Sequence, residues 1–175
     1  MARPRPWTAG RAALVYEGRA RKLVLALKHG DRPEIAKPAG LWLSQVAKPL
    51  LQRNMLIAPV PLHWTRLVQR RYNQAALLSQ ALADVTGLSH CPDLLLRSRR
   101  TAKLEHVGVD ERYAALGSAI RHHPKRRHRM MARQVLLVDD VMTSGATLTA
   151  CAKACLQAGA KEVYTVTLAR AVKGP

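Results

Sequence analysis

The chain has 175 residues, 48% of them hydrophobic and only 4% aromatic, which suits a single domain with an aliphatic core. No apolar run approaches a membrane span, the first ten residues hold no apolar stretch that would mark a secretory signal, and three scattered cysteines exclude a disulfide framework. Lys and Arg total 29 against 11 acids, a formal charge of +18, more than a small anionic ligand requires and suited to a polyanion such as nucleic acid.

Met1–Gly10 reads as a short flexible basic arm and residues 11–175 as one domain, with the cytoplasm the expected compartment. Ala12–Tyr16 is a short strand, and Arg19–Lys28 a helix with Ala20, Leu23, Val24 and Leu27 on one face. Lys28, at a helix end shortly before Gly30, either stabilises the helix C-terminus or reaches an anion, and the first reading is preferred. His29–Pro33 is a turn by composition. A longer helix follows from about Glu34 to Gln52, with Ile35, Ala39, Trp42, Leu43, Val46 and Leu50 at helical spacing; Pro38 and Pro49 blur its ends.

Met55–Val60 is an apolar strand that runs into Pro59-Val60-Pro61-Leu62. Arg66, Arg70 and Arg71 follow before a helix. An arginine-rich loop between strand and helix is either a second anion site or a rigid corner with a solvated face. Asn73 opens that helix, whose stripe is Leu77, Leu78, Ala81, Leu82 and Val85, and Gly87 stops it. Leu94–Leu96 is a short strand. Basic residues then cluster at 97–103 and again at 121–133. Arg97, Arg126, Arg127 and Arg129 are the candidate nucleic-acid contacts, against the alternative of solvated loops; no aromatic residue interleaves to stack bases. His106 and the His122-His123 pair lack partners at ligand spacing and read as surface residues, while Cys91, Cys151 and Cys155 read as buried, inert thiols.

Val135–Val138 is apolar throughout, as in a strand buried on both faces of a parallel sheet. Asp139 and Asp140 follow at its carboxyl end, where open α/β sheets place ligands. Thr143-Ser144-Gly145-Ala146-Thr147 packs hydroxyls and a glycine into one turn, a form that can aim backbone N–H groups at an anion ahead of the helix Ala146–Ala158. Acids for sugar hydroxyls or a metal beside a phosphate cradle suit a phosphorylated sugar. Gly159 ends the helix, and Val163–Leu168 is the last strand. Alternating strands and helices predict an α/β fold with a mainly parallel, twisted sheet flanked by helices.

The stretch 135–149 resembles the signature of type I phosphoribosyltransferases. The resemblance implies that fold, with Asp139 and Asp140 at the ribose hydroxyls of phosphoribosyl pyrophosphate (PRPP) and Thr143, Ser144, Gly145, Ala146 and Thr147 at its 5′-phosphate. It further implies that the loop Val60, Pro61, Leu62, with Arg70 and Arg71, meets the pyrophosphate, and that residues 97–112 form a loop over PRPP with Arg99, Arg100 and Lys103 as its cations. Mg²⁺ would come with PRPP rather than sit in a protein cage. More narrowly, Tyr16-Glu17-Gly18-Arg19, Leu27-Lys28, residues 59–62 and 70–75, Arg100-Thr101, 135–149 and Gly159-Ala160 together resemble the ComF competence proteins, including GntX-type members. That family implies a role in DNA uptake, with single-stranded DNA and a helicase-like competence ATPase as partners, and a homodimer by analogy with the fold. Two features depart from it: no cysteine pairs of a zinc module stand ahead of Tyr16, and Leu104-Glu105 occupies the place of a usual glutamine.

Overall fold

The computed structural model describes residues 5–29, 32–62, 72–98, 111 and 116–172. Among the described residues the strands are β1 Ala9–Val15, β2 Leu56–Pro59, β3 Ser89–His90, β4 Leu95–Arg97, β5 Ile120–His122, β6 Gln134–Met142 and β7 Glu162–Arg170. The helices are α1 Gly18–His29, α2 Ala36–Ala47, α3 Gln74–Thr86, the short α4 Arg127–Met130 and α5 Ala146–Gln157. Five strands form one sheet in the order β1-β7-β6-β2-β3, and every pairing within it is parallel. β4 and β5 form a separate antiparallel pair.

The apolar run predicted the sheet's centre. Val135, Leu136, Leu137 and Val138 are all fully buried, because β6 lies between β2 and β7 and both of its faces are covered. Val135 and Leu137 join one core with α5, while Leu136 and Val138 join the other with α1, α2 and α3. Period-two alternation thus divides one strand between two hydrophobic cores.

Local signals hold at α3. The Asn73 side chain accepts from the Ala75 N–H at the N-terminus, and Gly87 ends the helix at φ 69°. α2 departs from its expected face. Trp42 is 42% exposed, and the buried set is Ala36, Ala39, Gly40, Leu43 and Ala47. The small residues bring the backbones of α2 and α3 together; a Cβ at Gly40 would lie 2.7 Å from the Ala81 Cβ. Val85, expected on the inner face of α3, is likewise exposed.

Within the expected basic arm, Met1–Gly10, the residues from Trp7 onward pack against the domain. Trp7 is buried, the Thr8 N–H donates to the Val163 carbonyl at 2.8 Å, and β1 begins at Ala9. An indole against the core outweighs the local polarity of the segment. The strand β3 had no sequence signal, being two residues long and held by β2. All three cysteines are buried and free, as expected; burial pushes the Cys155 thiol up to about 12. Among the described residues, no helix is long and apolar enough to cross a membrane.

Candidate functional site

The site opens where β2 leaves β6. The Val60 N–H still donates to the Val138 carbonyl at 2.9 Å, after which β6 continues paired with β7 alone as far as Met142. β6 therefore outruns its expected end: Asp139 and Asp140 lie within the strand, just past the last contact with β2. The connections from these two strands also diverge. β2 leads toward α3 on one face of the sheet, and β6 leads into α5 on the other. That divergence is a topological switch point, where open parallel sheets form their ligand crevice.

The two acids are not equivalent. Asp140 is 8% exposed, and its Oδ2 lies 3.3 Å from the Lys28 ammonium at the end of α1. Asp139 is half-buried and accepts from the Asp140 N–H at 2.8 Å. Burial, then the neighbouring Asp140 carboxylate, push Asp139 up to about 8, against the opposing bond from Asp140 N–H and the charge of Lys28. Lys28 is thus more than a helix-terminal cation: it belongs to the site. Its signal in the sequence was the Leu27-Lys28 pair. The Tyr72 hydroxyl donates to the Leu27 carbonyl at 2.9 Å and fixes that end of α1.

Thr143–Thr147 forms the expected turn. Gly145 sits at φ 80°, a left-handed conformation that admits glycine without strain, and α5 starts directly after it. The Ser144 hydroxyl accepts from the Ala146 N–H at 3.4 Å. The first turn of α5 contains no acid, so no carboxylate of its own competes for the positive end of the helix. Thr143 is exposed, Ser144 and Thr147 are half-buried, and Gly145 and Ala146 are buried.

Across the crevice lie Val60, Pro61 and Leu62. The Asn73 amide donates to the Val60 carbonyl at 3.1 Å and ties this loop to the start of α3. The Val60 N–H is committed to Val138 and proline has none, so Leu62 carries the one remaining amide of the three. Arg70, Arg71, Arg99, Arg100 and Lys103 lie outside the described residues.

The candidate nucleic-acid contacts do not share one solvated loop. Arg97 is half-buried in β4. Arg126 pairs with Asp93 at 2.9 Å, and the Arg127 Nε donates to the Ala158 carbonyl at 3.2 Å. Arg129 is half-buried in α4. The 121–133 segment is β5, a 3₁₀ turn and α4 rather than loop, and His123 accepts from the Lys125 N–H to start that turn. Among the described residues no cluster of three or more His, Cys, Asp or Glu could hold a metal.

A five-stranded parallel sheet carrying paired acids and a Gly-centred turn at its switch point defines a phosphoribosyltransferase-type domain, and residues 75–174 match the family described as Phosphoribosyl transferase domain. The fold aligns with glutamine PRPP amidotransferase of B. subtilis at a TM-score of 0.53 and 14% identity, over 82% of this chain and 30% of that one. Within that class, the chain belongs to the family of Competence protein F and DNA utilization protein YhgH. It is 34% identical to Competence protein F of Haemophilus influenzae over 115 residues, 66% of this chain and 50% of the relative. It is 32% identical to DNA utilization protein YhgH of Salmonella typhimurium over 173 residues, 96% of this chain and 74% of the relative. The chain thus spans about half the length of the first relative and three quarters of the second.

Proposed function

We propose that the crevice binds PRPP and transfers its phosphoribosyl group to a nitrogen acceptor. One observation carries the reading: Asp139 and Asp140 lie on β6 ahead of the Thr143–Thr147 turn, just past the point where Val60, bonded to Val138, leads the β2 chain away. The turn and the start of α5 would hold the 5′-phosphate, and the acids the 2′- and 3′-hydroxyls. In transfer, the bond from C1 to the pyrophosphate oxygen breaks and a bond from C1 to nitrogen forms, while positive charge builds on the ribose. Asp140 would supply negative charge beside the ribose, and Asp139 would add a hydrogen bond to a hydroxyl. Mg²⁺ would be carried in on PRPP, with Asp139 or Asp140 as the carboxylates that could help to hold it. When bound there, Mg²⁺ supplies charge neutralisation on the departing pyrophosphate.

Calorimetric titration of PRPP, with and without Mg²⁺, tests the reading. Saturable binding in the natural protein should fall at least tenfold in Asp139→Asn/Asp140→Asn, with the fold intact by circular dichroism. Equal affinity in the two proteins would refute it.

A second reading rests on the net charge of +18 and on the names of the relatives: an accessory protein of DNA uptake or use that binds nucleic acid, with the phosphoribosyl site as a ligand sensor. Single-stranded DNA and a helicase-like ATPase are the partners it implies, and the cytoplasm the compartment.

A further inference from the structure

Helix α1 exposes Arg19, Arg21 and Lys22 to solvent, but Lys28 is placed differently. It follows Val24 by four residues, and so shares the face of the helix that carries the fully buried Val24 and Leu27. Its ammonium lies 3.3 Å from Asp140 Oδ2, with 21% of the side chain still exposed. Holding a cation largely out of water is costly unless its bonds are made. An ammonium has three donors, and Asp140 is the one group that Lys28 meets at bonding distance among the described residues. Donors therefore remain for a ligand.

Two hydrogen bonds tie this end of α1 to the chain that leaves β2. The Tyr72 hydroxyl donates to the Leu27 carbonyl at 2.9 Å, and the Asn73 amide donates to the Val60 carbonyl at 3.1 Å. Val24 and Leu27 share one core with Ile57, Val138 and the buried side of α3, whereas Ala146 and Leu148 of α5 belong to the core on the other face of the sheet. Lys28 and the Thr143–Thr147 turn thus flank the acids from opposite faces. A ligand with one phosphate in that turn and its ribose at the acids would bring its other anionic group toward Lys28. In Val60–Leu62 only the Leu62 amide is uncommitted, so a point charge beside that loop answers a need for donors there.

We propose that Lys28 binds the pyrophosphate group of PRPP, exchanging its pairing with Asp140 for the ligand and leaving Asp140 to the ribose. The proposal rests on the phosphoribosyl reading above. The test is calorimetric titration of PRPP and of ribose 5-phosphate, each with Mg²⁺, into the natural full chain, Lys28→Met and Lys28→Arg. Loss of a charge-assisted contact should weaken PRPP binding about tenfold or more in Lys28→Met. Ribose 5-phosphate, which has no pyrophosphate, should keep its affinity in the same variant. Lys28→Arg retains the charge and should bind PRPP more tightly than Lys28→Met. Reductive methylation of the natural protein, read by peptide mass spectrometry, tests the contact without a variant, so the proposal stays open to refutation even where Lys28→Met does not fold. Magnesium pyrophosphate should slow modification of Lys28 and leave Lys22 unaffected. Failure of the natural protein to bind either sugar phosphate would refute the phosphoribosyl reading and this proposal with it. Where the natural protein binds PRPP, three results would each overturn the Lys28 assignment alone: unchanged PRPP affinity in Lys28→Met, an equal loss for both ligands, or no protection of Lys28 by pyrophosphate.

Discussion

Asp139 and Asp140 are adjacent in sequence, yet their surroundings differ. Lys28 balances Asp140, whereas burial and the charge of Asp140 push Asp139 up to about 8. The folded value of Asp139 lies above its unfolded value, so the folded state keeps a proton that the unfolded chain releases. Its contribution to stability is therefore complete below pH ~4 and is lost as pH rises toward the folded value. Thermal melts of the natural protein and Asp139→Asn between pH 4 and about 8 should show the natural protein losing Tm relative to the variant as pH rises. Parallel curves would mean that Asp139 titrates as an ordinary solvated acid.

Helix α2 shows how packing chooses among faces that periodicity leaves open. Trp42 has the greater hydrophobic area, but the face with Ala36, Ala39, Gly40 and Leu43 is the buried one, because only small residues let α3 approach so closely. A Cβ at Gly40 would also stand 2.9 Å from the Ala81 carbonyl carbon, which is backbone and cannot rotate away. Gly40→Ala should therefore destabilise the protein through overpacking of about 1–3 kcal/mol, larger than the ~1 kcal/mol of helix propensity that alanine adds. Urea unfolding measures the difference. A midpoint that rises in the variant would show that α2 and α3 are free to separate.

Over the whole molecule, the charge of +18 exceeds what one bound PRPP would require. Some of it is structural: Arg126 pairs with Asp93, Arg127 meets the end of α5 at Ala158, and the Arg133 Nε donates to the Asn54 carbonyl. If the rest serves nucleic acid, binding should follow counterion release. For roughly six neutralised phosphates, affinity for single-stranded DNA should fall about a thousandfold between 50 and 200 mM salt. Fluorescence anisotropy with a labelled oligonucleotide reads that slope, and a flat response would leave the charge without a polyanion to explain it.

Local chemistry made much of this protein legible in one dimension. The apolar run Val135–Val138 placed the central strand, Asn73 and Gly87 placed the ends of α3, and Gly145 marked the turn between β6 and α5. Each of these signals involves residues a few positions apart, within reach of one turn or one strand. Tertiary structure decided the rest, because the partners are distant in the chain. Lys28 meets Asp140 across 112 positions, β1 docks on β7 at the sheet edge, Trp7 is buried where composition suggested an arm, and small residues turn Trp42 outward. Long-range packing and ion pairing set those features, and no short window of sequence contains both members of any such pair.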